Sequence, residues 1–451
     1  MPVHPGHASL SPARATGLVL MLMLALALSF LDRQVLALLV DPIKADLEIS
    51  DTEFGVLQGA AFAIFYIGFG IPLGRLADRS SRRNIIIAGI ALWSIATAAC
   101  GTATSFVALF AWRAMVGVGE AALSPAAYSM IADAVPKRRL TLALAGYSLG
   151  VYVGSGLALL VGGLLLAWLG GADALPALLP SSTAHWRWVF LLIGIPGLIM
   201  TAMLLLVKEP PRRQLGNESA SDIPSIGEVA RFVWRERRLF GGLILGFALH
   251  NTALYALLAW MPAFTGRHYG LAPSEFSTTL GLATIAGGII GLILGGLVSD
   301  ALLARGVKDA PIRVGVTSMA GMAIFANLSI HGGTVPLTAW LFGVTIFFVA
   351  LPIGTAAAAL QLVVPNRYRG QISALYLTMI SVVGLNVGPM LPPLLGDHLF
   401  HDPARIGDAL GWTLAGAAIL SVLCFLAGRA AYARRYAAIH PDQHAFSEVD
   451  R

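Results

Sequence analysis

Residues Trp112 to Glu120 read WRAMVGVGE and lie inside the fourth long apolar segment of the chain. Two helical turns take about seven residues, so Arg113 and Glu120 project from one face of a helix. A charged side chain at the centre of a bilayer costs about 2.5–3.5 kcal/mol on insertion scales, so that face must turn toward a partner or a water-filled cavity. The first apolar segment, Gly17 to Val40, carries the same anomaly at Asp32 and Arg33.

Composition sets the setting for these charges. Of 451 residues, 57% are hydrophobic and only 12% charged, whereas soluble domains carry about 25% charge. With a mean hydropathy of +0.76, the chain reads as a polytopic membrane protein. Its net charge of +6 does not point to nucleic acid, because the basic residues sit in short loops between apolar runs and form no basic face. Cys100 and Cys424 both fall in apolar segments and read as packing residues.

Apolar spans lie near 16–40, 54–74, 84–103, 106–132, 140–169 and 188–207, then near 239–264, 276–300, 312–331, 336–363, 371–396 and 409–430. A crossing helix needs about 20 residues, so all twelve are long enough. A cleavable signal is the other reading of the first span, with Arg14 ahead of it and Ala25-Leu26-Ala27 as a cleavage pattern. It ranks below a true crossing, because removing that span leaves eleven and inverts the loop charges. With the N-terminus inside, cytoplasmic segments hold 24 of the 30 lysines and arginines; outer ones hold only Lys44, Arg187, Arg267 and Arg405. That asymmetry places both termini in the cytoplasm, with a bacterial inner membrane as the expected location. The expected layout is a cytoplasmic N-terminus (1–14), a six-helix bundle (15–208), a cytoplasmic linker (209–238), a second bundle (239–433) and a tail (434–451) that is polar and without fixed structure from Ile439. In the linker, Ile226, Val229, Ala230, Val233 and Trp234 recur at helical spacing opposite Glu228, Arg231, Arg235 and Glu236, which reads as a helix on the cytoplasmic leaflet or, equally, as an ordinary structured linker.

The halves echo each other. Gly74-Arg75-Leu76-Ala77-Asp78 after the second span recurs as Gly296-Leu297-Val298-Ser299-Asp300 after the eighth, and Val135-Pro136-Lys137-Arg138 recurs as Val364-Pro365-Asn366-Arg367. Parallel repeats of six helices, with a midplane site between them, are an established transporter plan.

These motifs resemble a family. GRLADRSSRR, Gly74 to Arg83, is similar to the loop motif between helices two and three of the major facilitator superfamily, with Ser81 in the usual glycine position. RAMVGVGEA, Arg113 to Ala121, resembles its fourth-helix motif. Gly146, Gly150, Gly154, Gly156, Gly162 and Gly163 resemble its glycine-rich fifth helix, without the proline of the antiporter version. The early Asp-Arg pair, GRLADR and RAMVGVGEAALSP followed by IAD look most like the spinster-like branch. The implied fold is an all-α membrane protein of twelve helices, two six-helix pseudo-repeats around a central cavity lined by helices one, four, seven and ten.

Depth arithmetic assigns the charges to one level. Arg113 is seven residues into the fourth span and Asp32 eight from the outer end of the first, so both lie about 10–12 Å down, with Glu120 about 10 Å deeper. The resemblance then implies that Asp32, Arg113 and Glu120 share the cavity. Burial disfavours an ionised carboxylate and a guanidinium favours it, so changes in hydration can load or release a proton. Asp32 and Glu120 are thus candidates for proton coupling, and Arg113 for a switchable counter-charge or a substrate anchor. Arg33, adjacent to Asp32, falls on a different face and reads equally well as a structural partner. The C-terminal half offers polar candidates instead, Asn251, Tyr255 and Gln361, with His250 read as a packing residue. On the inner side, Gly74, Asp78, Arg79, Arg82, Arg83, Asp133 and Arg138 form the expected conformational latch, in which an acid ending a helix pairs with the loop arginines.

A cavity charged on one side and apolar on the other suits an amphiphile. Spinster-like proteins move sphingolipid- or lysophospholipid-type substrates, so the resemblance implies a proton-coupled secondary transporter of such a lipid, or a related organic anion, working by alternating access. Proton symport of a small organic or sugar acid is the alternative, and a non-transporting membrane receptor is the reading from another class. There is no metal-ligand cluster, GxxxxGK[ST] loop or paired nucleophile and base to indicate an enzyme. No cofactor beyond protons is expected, and the chain is expected to act as a monomer in the bilayer.

Overall fold

The computed structural model describes residues 11–170, 184–212 and 224–440, with the side chains of Asp78, Lys137, Arg138, Thr141, Ala357 and Asn366 outside that description. No strand occurs among the described residues. In hydrocarbon a backbone must satisfy its hydrogen bonds internally, and long apolar runs therefore become helices. Among the described residues, twelve are long and apolar enough to cross. In the first half they are Pro12–Leu38, Asp51–Ala77, Arg82–Cys100, Phe106–Ala134, Leu142–Gly170 and His185–Leu205. In the second they are Arg237–Tyr269, Pro273–Ala304, Ala310–Ile330, Val335–Val363, Arg367–Phe400 and Pro403–Ile439. They are called here the first to twelfth spans.

Local chemistry fixes several ends. The Ser81 hydroxyl accepts from the Asn84 amide at 3.3 Å where the third span begins, and Ser105 accepts from the Ala108 amide at 3.2 Å at the fourth. The twelfth span continues nine residues past the expected end near 430. Its last turns are amphipathic, and their inward residues are held: Tyr432 donates to the Ala359 carbonyl at 3.0 Å and Arg435 to that of Val363 at 3.4 Å.

The helices form two compact units. One comprises the described residues through Ser50 and from Ala60 to 212; the other comprises Asp51–Gly59 and 224–440. The second span is therefore divided between them, and its helix is interrupted at Gly59. Its first turns join the second unit through two contacts. Arg267 forms an ion pair with Asp51 at 2.7 and 2.8 Å, and Asp397 accepts from the Thr52 amide at 3.0 Å and hydroxyl at 2.7 Å.

The linker helix, Ile226–Arg235, has a capping box in which Ser225 and Glu228 satisfy each other's backbone amides. The expected stripe is split. Val229 is buried and Phe232 stacks on Tyr368 at 4.6 Å, while Ile226 and Trp234 stay 84% and 73% exposed.

Candidate functional site

The charged positions of the first and fourth spans come together inside the first unit. Close helix packing makes this possible. A Cβ at Gly117 would lie 2.4 Å from the Phe62 carbonyl oxygen, and one at Gly154 would lie 2.1 Å from that of Ala27, so only glycine lets the fourth span meet the second, and the fifth meet the first, at these points. Asp32, Arg33, Arg113 and Glu120 are exposed by only 2%, 9%, 1% and 2%.

Glu120 is held by two donors from the first span. Its Oε2 accepts from Arg33 Nη2 at 2.5 Å and from the Ser29 hydroxyl at 2.5 Å. Ser29 and Arg33 are four residues apart, so one face of the first span delivers both donors. Asp32, one position earlier than Arg33, points elsewhere and accepts from the Thr97 hydroxyl of the third span at 3.3 Å. The Arg33 guanidinium carbon lies 4.1 Å from the Phe62 ring centroid, 4.6 Å from that of Phe30 and 5.7 Å from that of Tyr66. Phe62 and Tyr66 stack on each other at 5.3 Å. Aromatic faces attract a cation most when it is desolvated, as here. Arg113 lies 5.8 Å from the same Phe62 ring and interacts through space with both Asp32 and Glu120. Two acids and two arginines give a cluster that sums to zero charge.

The direct ion pair to Glu120 is made by Arg33, while Arg113 acts on it through space. Ser29, Thr97 and Phe62 were not among the expected site residues. The four-residue spacing of Ser29 and Arg33 was the available signal for the first; Thr97 and Phe62 sit in apolar runs with no local mark.

Between the second and third spans, the residues expected to form a latch centre on Arg82, which is 1% exposed. Its guanidinium donates to Asp133, to Ser129 Oγ at 2.9 Å, to Glu209 Oε1 at 2.9 Å and to the Pro210 carbonyl at 2.8 Å. Glu209 also accepts from the Ser81 hydroxyl at 2.5 Å and the Arg82 amide at 3.1 Å. Burial pushes the Glu209 carboxyl up, but the Ser81 and Arg82 donors outweigh it and hold the group below its ordinary value. Arg83 donates to the Val207 carbonyl at 3.0 Å. Arg79 is exposed, and Gly74 approaches only Pro125, at ordinary contact distance. The side chains of Asp78 and Arg138 lie outside the described residues. Glu209, in the linker, is a partner that the loop motif alone does not predict.

In the second unit Asn251 donates to the Phe247 carbonyl of its own helix at 2.9 Å, Tyr255 is half-buried, and Gln361 is exposed. His250 is buried with Nε2 2.9 Å from the Val349 carbonyl.

Twelve apolar helices in two units, with buried ions gathered inside one of them, define a multi-pass membrane protein of the transporter class. The chain belongs to the Major Facilitator Superfamily, whose family profile matches residues 22–389. It is 29% identical over 441 residues to an MFS-type efflux pump of Mycolicibacterium smegmatis, covering 94% of each chain. It is also 29% identical over 417 residues to the human protein spinster homolog 1, covering 86% of this chain and 74% of that one. In three dimensions it is similar to a bacterial homologue of the human lysosomal transporter spinster, crystallised inward-facing and unoccupied, with a TM-score of 0.74 and 24% identity over 96% of this chain and 99% of that chain.

Proposed function

We propose that the chain is a proton-coupled carrier of an amphipathic lipid, sphingolipid- or lysophospholipid-like, or of a related organic anion, in a bacterial inner membrane with both termini inside. The observation that carries this reading is the Arg33–Glu120 pair, buried beside Asp32 and Arg113. Protonating Glu120 neutralises one ion paired with Arg33 and loosens that pair, which lets the guanidinium also engage an anionic head group; deprotonating it draws Arg33 back. Proton and anion are thereby linked through one side chain. The likeness to a spinster homologue supports the spinster-like branch, whose resemblance implies a sphingolipid- or lysophospholipid-type substrate.

The test is uptake into proteoliposomes with and without a pH gradient, comparing lysophospholipid and sphingoid probes with short organic and sugar acids. The expected result is gradient-driven movement of the lipid, with the gradient dependence abolished by Glu120→Gln and the rate cut by Arg113→Ala. Gradient-driven movement of the tailless acids alone moves the assignment to organic-acid symport. Lipid movement indifferent to both the gradient and Glu120→Gln refutes proton coupling.

A further inference from the structure

A second basic site lies apart from the buried cluster, wholly within the second unit, where the loop after the eighth span meets the twelfth. A cavity of about 530 Å³ opens there, lined by Lys308, Asp309, Arg313 and Arg429, with Leu426 at its apolar edge. Asp309 is the organising residue: its side chain is 7% exposed and accepts from Arg313 Nε at 3.0 Å and from Arg429 Nε. Both arginines use Nε for this anchor, and among the described residues neither has a further hydrogen bond or ion pair. Their side chains stay 48% and 46% exposed and line the cavity, with the Nη groups left over from the anchor. Three cations set against one carboxylate leave a surplus of two positive charges.

Above this pocket the twelfth span exposes Leu426, Leu423 and Ile419 on one strip, about 15 Å long measured from Arg429 at 1.5 Å per residue. The ninth span likewise exposes Ile324, three turns beyond Arg313. Positive loops face the cytoplasm, which sets the pocket at the head-group level of the inner leaflet and the strip at acyl-chain level. Basic pockets between helices on that side are suited to anionic head groups. We propose that this pocket is a binding site for an inner-leaflet lipid carrying two phosphodiesters, whose two negative charges match the surplus and whose phosphates are each received by a guanidinium fork. Burial raises the Asp309 carboxyl, but the Arg429 and Arg313 donors outweigh it and hold the group below its ordinary value, so the anchor stays ionised at neutral pH.

The test is native mass spectrometry of the full-length protein in detergent, titrated with tetraoleoyl cardiolipin, dioleoyl phosphatidylglycerol, dioleoyl phosphatidylcholine and glycerol 3-phosphate. Retention is expected to fall in that order, and Arg313→Gln with Arg429→Gln is expected to weaken cardiolipin binding at least about tenfold while leaving phosphatidylcholine unchanged. Should the glutamine variant fail to fold, Arg313→Lys with Arg429→Lys keeps the charge and removes the forks, and its expected result is a narrowed preference for cardiolipin over phosphatidylglycerol. Equal retention of the three lipids, or cardiolipin binding indifferent to whichever variant folds, overturns the proposal. Displacement of cardiolipin by glycerol 3-phosphate at comparable concentration also overturns it, in favour of a site for soluble anions.

Discussion

Removing one partner of the Arg33–Glu120 pair is expected to damage the protein far more than removing both. At 9% and 2% exposure neither ion can recover its lost hydration when the other is deleted. Breaking a buried pair in this way costs about 3–5 kcal/mol, whereas replacing both ions by uncharged groups of similar volume is near neutral. Arg33→Met retains a side chain able to lie against Phe62, and Glu120→Gln retains an acceptor for Ser29, so the double variant keeps the packing and one hydrogen bond. The expected pattern is about 3–5 kcal/mol lost in Arg33→Met, somewhat less in Glu120→Gln, and within about 2 kcal/mol of the parent in the double, giving a coupling energy of at least about 3 kcal/mol. Glu120→Gln is the milder single because its amide oxygen can still accept from Ser29 and Arg33, and the Arg33 cation keeps its aromatic contacts. Reversible unfolding in mixed micelles, followed by tryptophan fluorescence, measures all three. Additive single effects, each below about 1 kcal/mol, would mean that the pair is solvated in the working protein, and the reasoning from burial would fall.

Glu209→Gln is expected to remove an acid-sensitive part of the stability. The carboxyl titrates below its ordinary value of 4.5 when folded, so its contribution is complete above that value and is lost as pH falls through the depressed one. Melting temperature against pH should thus decline more steeply on the acid side in the parent than in the variant, with about 1–3 kcal/mol separating them at neutral pH. Gly117→Leu should abolish folded yield or cost at least about 1–3 kcal/mol by overpacking against Phe62, whereas Gly146→Ala, whose Cβ meets nothing within 4 Å, should be tolerated in the same expression and melting assay. Asp51→Asn should loosen the first turns of the second span, read as about tenfold or faster amide exchange over residues 51–58 with the fourth span unchanged; equal exchange would show that the Arg267 contact does not hold this segment.

The twelve crossings were legible because a 20-residue apolar run has one common fate in a bilayer, and loop charge checks the count independently. The site was legible in part for the same reason: an ion inside such a run is conspicuous, and Asp32, Arg33, Arg113 and Glu120 do meet. Which of them pair was not. Arg33 and Arg113 are equally plausible partners of Glu120 from helical spacing, and the choice rests on helix rotation, set by Gly117 and Gly154 meeting backbone on neighbouring spans. Glu209 was hidden because a linker acid gives no periodic signal, and it acts only when the chain returns to the third span's start. The division of the second span at Gly59 was hidden too. An apolar pattern says that a helix face is buried without naming its neighbour, and Asp51 and Arg267, 216 residues apart, carry no mark of belonging together.

The unequal hold on the two acids bears on which of them couples transport to protons, on the reading proposed above. Asp32 accepts one hydroxyl at 3.3 Å, so a proton arriving there displaces little. Glu120 is held by a guanidinium and a hydroxyl on the same oxygen, so its protonation weakens an ion pair whose cation lies against aromatic rings. A site that answers protonation by weakening a buried ion pair is suited to coupling, whereas one that answers with a shifted hydroxyl is suited to tuning. The link is reciprocal: whatever free energy protonation of Glu120 contributes to anion binding, the anion returns to protonation, and couplings of this kind amount to about 1–3 kcal/mol, or 5- to 150-fold in affinity. Asp32→Asn should therefore shift the pH midpoint of transport while leaving gradient dependence intact, and Glu120→Gln should remove the dependence itself. Loss of gradient dependence in Asp32→Asn with its retention in Glu120→Gln would reverse the two roles.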